Sequence, residues 1–143
     1  MRKTFLTLIF GLLIFATYAN AEGMRPLSDV VASENSLPIK KYVFQRCSAL
    51  SIGIARQVLS RPDKEGSKAL SDRYRTSAGL FSLLAIQASE KIGQSISLEQ
   101  NRNTIERIRD LYHDRWDANY AASGIPTDNM TQEDLKICMA MLK

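Results

Sequence analysis

Two cysteines constrain this chain more than any other feature. Cys47 lies in YVFQRCSAL and Cys138 in LKICMAMLK, and the sequence has no others. Val43, Cys47, Leu50, Ile54 and Val58 recur at spacings of four and three, which is one face of an α-helix. Leu135, Cys138, Met139 and Leu142 repeat the pattern near the other end. Both cysteines therefore belong to apolar stripes that seek the core. If the two pair, the first long helix must lie against the last.

Whether they pair depends on the compartment. The chain opens MRKTFLTLIFGLLIFATYANAEG, with Arg2 and Lys3 ahead of an apolar run from Phe5 to Ala16, then Ala19-Asn20-Ala21. A basic start, an apolar middle and a small-residue site form the pattern of a secretory signal peptide. The run is too short to span a bilayer, which takes about 20 residues. Cleavage is expected after Ala21, giving a leader over 1–21 and a periplasmic or secreted protein with no stable membrane insertion. Disulfides persist in such places. One internal bond, Cys47–Cys138, is then expected rather than two buried thiols.

Behind the leader, Glu22 to Asn35 shows no apolar periodicity and contains Gly23, Pro26, Ser28 and Ser33. Residues 22–36 read as a flexible lead-in to one helical domain over 37–143. Four helices are expected there. The first runs from Pro38 to Leu59, with Ser36 as its cap. The second runs from Ser67 to Ile92, with Leu70, Tyr74, Ser77, Phe81, Leu84, Ala88 and Ile92 as its stripe. Leu80, Leu83 and Ile86 fall outside that stripe, and a segment apolar on most sides is usually central in its bundle. Ser77, Ala78 and Gly79 make a small-residue spot where another helix could approach. The third helix opens on Ser97-Leu98-Glu99-Gln100, a capping-box pattern. It buries Ile105, Ile108, Tyr112 and Trp116 and stops near Gly124 and Pro126. The last begins after Thr131, with Glu133 and Asp134 in its first turn, where negative charge suits the helix dipole. The fold class is all-α, a four-helix bundle-like domain closed by one disulfide.

The residues offer little chemistry. His113 is the only histidine, and the acids Glu106, Asp110 and Asp117 near it read as a solvated helix face rather than a metal site or a general base. There is no C-x-x-C-H for haem, no G-x-S-x-G and no Gly-rich phosphate loop. No cofactor, metal or catalytic residue is expected. The formal charge is +4 for the whole chain and falls toward neutrality once Arg2 and Lys3 leave with the leader. The charges are interspersed, which argues against nucleic acid as a partner. Tyr112, Trp116 and Tyr120 form an aromatic ladder. Tyr120, Trp116 and the loop AASGIPTDN are the candidate contacts for a protein partner.

YVFQRCSALSIGIA and EDLKICMAML resemble the two cysteine-bearing helices of type VI secretion amidase immunity proteins, which are small, exported and helical. The resemblance implies a non-enzymatic protein that plugs a toxic enzyme's cleft. It covers these two helices only and carries over no binding residue. The function expected is binding or inhibition of another macromolecule in the periplasm. The alternative is a carrier or chaperone for apolar ligands or unfolded protein, resting on the apolar middle of the second helix.

Overall fold

The computed structural model describes residues 23–60 and 64–143. The expected leader and its cleavage after Ala21 lie outside them. Five helices and no strand are found among the described residues: α1 Leu27–Ser33, α2 Leu37–Leu59, α3 Lys64–Lys91, α4 Leu98–Ser123 and α5 Asn129–Ala140. The last four are the expected ones. Cys47 and Cys138 are bonded, with Cα atoms 5.4 Å apart, and join α2 to α5.

Two expected helix signals act as anticipated. Ser97 caps α4 in a complete capping box with Gln100. Gly124 ends α4 in the left-handed region at φ 73°, a conformation that an L side chain resists. Ser36 does stand at the N-cap of α2, but its hydroxyl makes no cap bond.

Three expectations are corrected. The lead-in contains α1, whose Leu27 and Val30 are buried in the core. Seven residues carry too little periodicity to announce a helix, and α1 is held from outside: the Leu27 N–H donates to Asp134 Oδ1 at 2.7 Å. The central helix is α2 rather than α3. It packs against each of the other four helices, and Cys47, Ser48, Ala49, Ser51, Gly53 and Ala55 are all buried. Small side chains let neighbours approach α2 from several sides at once. Gly53 is the tightest case, since a Cβ there would lie 2.6 Å from the Trp116 ring.

The third correction concerns α3. Its buried face is turned from the expected one and runs through Ser67, Ser71, Ala78, Phe81, Ala85 and Ala88. Small residues bring α3 close along α2, where Ser48 Oγ donates to the Ala78 carbonyl at 2.9 Å. The larger Leu70, Leu80 and Leu83 are left exposed. Within the small-residue spot, α2 approaches at Ala78, while a Cβ at Gly79 would meet nothing within 4 Å. α3 and α4 meet only sparingly, leaving a cleft over α2 between them.

Candidate functional site

Inside α5 the pattern of burial explains what holds a 12-residue helix in place. The buried residues are Thr131, Asp134 and Cys138, while Met139, expected on the core face, is exposed. Asp134, expected only as a first-turn acid that suits the helix dipole, is fully buried and paired with Arg46 of α2, itself fully buried. Tyr112 of α4 stands between them, donating its hydroxyl to Asp134 Oδ2 at 2.5 Å and accepting from Arg46 Nη2 at 3.0 Å. Arg46 Nη1 also donates to the carbonyl of Arg25, just ahead of α1. One buried cluster thus ties α1, α2, α4 and α5 together. Burial pulls the Arg46 guanidinium toward its neutral form, but Tyr112 and Asp134 outweigh that, so its pKa is raised. Burial, and with it the Asp134 carboxylate, pushes the Tyr112 phenol well above the ordinary tyrosine value against the pull of Arg46.

A guanidinium, a phenol and a carboxylate in hydrogen-bond contact resemble catalytic machinery. All three are sealed from solvent, so no substrate reaches them. They build the domain.

The accessible candidates lie at the corner between α4 and α5. Tyr120 is 62% exposed and Ile125 56% exposed. The base beneath them is held firmly. Asn119 Nδ2 donates to the Ile125 carbonyl at 2.6 Å. Arg115 pairs with Asp128, whose Oδ1 also accepts from the Thr131 N–H at 2.8 Å and caps α5. Burial works to raise the Asp128 pKa, but the Thr131 and Arg115 hydrogen bonds overcome it and hold the carboxyl below its ordinary value. Between these residues lies a polar hollow of about 410 Å³, lined by Asn119, Ser123, Asp128, Asn129 and Gln132 among others.

Trp116, expected as a partner contact beside Tyr120, is corrected. It is 1% exposed, and its Nε1 donates to Thr131 Oγ1 at 3.1 Å. It braces the corner from within and cannot touch a partner. His113 is half-buried, its ring centroid 5.2 Å from that of Trp116. Among the described residues no three His, Cys, Asp or Glu side chains gather as a metal site would need.

A second accessible feature is an apolar groove of about 360 Å³ between α1, α2 and α3, lined by Val31, Ile39, Val43, Phe44, Leu84 and Met141, with Glu34 and Lys40 at its rim. Sequence reasoning missed Arg46 and Asp134 as partners. A faint signal was present: Arg46 is the sole charged residue of α2 between Lys41 and Arg56, and it precedes a core cysteine. No family model matches the chain, and no curated protein or solved structure compared with it does either.

Proposed function

We propose that the chain is a small exported protein, without catalysis of its own, that binds or inhibits another protein in the periplasm. The observation that carries this reading is the α4–α5 corner, where Tyr120 and Ile125 stand exposed on a base fixed by Asn119, Arg115–Asp128 and the buried Trp116. Binding energy concentrates in a few aromatic and arginine anchors, and rigid presentation lowers the cost of ordering them. The disulfide and the signal-peptide pattern expected over residues 1–21 support export.

The test is capture of a stoichiometric partner from periplasmic extract. Tyr120→Ala should weaken that partner's binding by roughly 1–2 kcal/mol with unchanged helical circular dichroism, and His113→Ala should do little. If His113→Ala abolished a measurable activity that Tyr120→Ala spared, the non-enzymatic reading would be wrong. A second reading, a carrier for an apolar small molecule, draws on the groove lined by Val31, Phe44 and Leu84. One-to-one binding of an apolar dye, abolished by Phe44→Asp in a still-folded protein, would favour it.

A further inference from the structure

Arginines that are far apart in the sequence meet in one place. Arg56 of α2, Arg75 of α3, and Arg102 and Arg109 of α4 all line the cleft between α3 and α4, together with one acid, Glu106. Arg56, Arg75 and Arg102 are exposed. Arg109 is the one of the four with a carboxylate partner among the described residues, Asp110 at 2.7 Å. The floor is uncharged and shallow, formed by Ile52, Ala78, Gly79 and Ile105. The cleft holds about 310 Å³.

Charges of one sign around a concave surface repel one another and raise the local potential, which a bound anion relieves. Guanidinium groups pair bidentately with carboxylates. The shape narrows the anion. A duplex or a bilayer is too large to enter a cleft of about 310 Å³, whereas a single polypeptide segment can. The small floor admits a backbone carrying alanine-sized side chains between its acids. Arg102 and Tyr120 lie about five turns apart on the same side of α4, about 27 Å along its axis. One interface of ordinary size, roughly 800 Å² on each partner, spans both.

We propose that the cleft between α3 and α4 receives an acidic polypeptide segment of the protein partner. The proposal rests on the protein-binding reading above and names the chemistry of what is bound. Gly79 separates a built site from diffuse attraction. Its surroundings are open, so Gly79→Leu fills the floor without changing any charge, and leucine is a better helix former than glycine.

The probe is a short fluorescein-labelled peptide of alternating Glu and Ala, followed by fluorescence anisotropy at physiological ionic strength. The peptide should bind, and its Gln-for-Glu analogue should not. Binding should weaken at least roughly tenfold in Arg75→Glu/Arg102→Glu and in Gly79→Leu, with helical circular dichroism unchanged. Arg107→Glu, outside the cleft, should change it less than about twofold. No binding of the peptide would overturn the proposal. So would binding that survives Gly79→Leu, which would reduce the effect to bulk charge. Tighter, Gly79-sensitive binding of a short single-stranded DNA, or of phosphatidylcholine vesicles doped with phosphatidylglycerol, would replace the polypeptide with another class of partner. A periplasmic partner captured in a Tyr120-dependent way but indifferent to Gly79→Leu would sink this proposal and leave the protein-binding reading standing. Peptide binding in the cleft with no protein captured from periplasmic extract would uphold the cleft's acidic-peptide chemistry while overturning a protein partner as the source of the segment.

Discussion

The shortest of the C-terminal helices and the longest helix are held by opposite means. α5 has 12 residues and is fixed by a disulfide, a buried ion pair and a tryptophan-to-threonine hydrogen bond. α3 has 28 residues and lies along α2 on a face of alanine and serine around Phe81, with Asn101 of α4 bonding Ser82 at 2.9 Å. A short helix buries too little apolar area to hold itself, because short helices depend on tertiary contacts rather than propensity. Directional bonds make up the difference. A long helix gains enough from continuous contact and can leave its larger residues, Leu80 and Leu83, on the outside. Extent of contact and specific bonds are thus alternative ways of fixing a helix, and this domain uses one on each side of α2.

The comparison breaks most readily at its covalent member. Cys47→Ala/Cys138→Ala should cost about 4–5 kcal/mol, since the bond closes a long loop in the unfolded chain. Chemical denaturation measures this, and hydrogen exchange locates it: α5 should lose protection while α3 keeps it. Equal loss in both would show that they form one cooperative unit and not two differently held regions.

Next in size is the ion pair. Asp134→Asn leaves the buried Arg46 without its counter-charge and should cost roughly 3–5 kcal/mol. Arg46→Met/Asp134→Leu should cost less than that single change, because no uncompensated charge remains. A double variant as unstable as the single would mean that the Leu27 and Arg25 backbone contacts matter more than the charges.

On the contact side, Gly53→Ala forces a methyl into the Trp116 ring and should cost about 1–3 kcal/mol, with a shifted tryptophan emission. Smallest is the cap. Asp128→Ala should cost about 1 kcal/mol at neutral pH. The folded pKa of Asp128 lies below its ordinary value of 3.8. Its contribution is therefore complete above that value and is lost as pH falls through the lower folded one. Wild type and variant should converge in stability in acid, and a gap that persisted there would assign the cost to packing.

Legibility in the sequence followed locality. The stripes of α2 and α4, the Ser97 capping box, the Gly124 stop and the cysteine pairing are periodic, adjacent or limited to one choice, and all could be read from the residues. α1 could not, because its helicity is secured by a bond to a residue 107 positions away. The buried face of α3 was misjudged because periodicity favours large apolar residues, whereas close approach to α2 favours alanine and serine. The pairing of Asp134 was not legible because its partner, Arg46, is 88 positions distant. The candidate site divided along the same line. The exposure of Tyr120 was legible from its place at the end of an aromatic ladder, while the inward turn of Trp116 and the gathering of four arginines are properties of the folded chain alone.

The buried cluster also bears on the order of assembly. Its members run from Arg25, just ahead of α1, to Asp134 in α5, so no short stretch of the chain can satisfy Arg46 on its own. A fragment that stops before α5 carries a cation in its core with only a phenol and a carbonyl to meet it. In such a fragment the guanidinium lacks its counter-charge, the cost that a buried cation bears when its carboxylate is removed. Contacts of this sequence range also slow folding relative to local ones, which prolongs the interval in which an unfinished or undocked chain remains extended. The cluster's bonding is therefore complete only when the two ends of the domain meet.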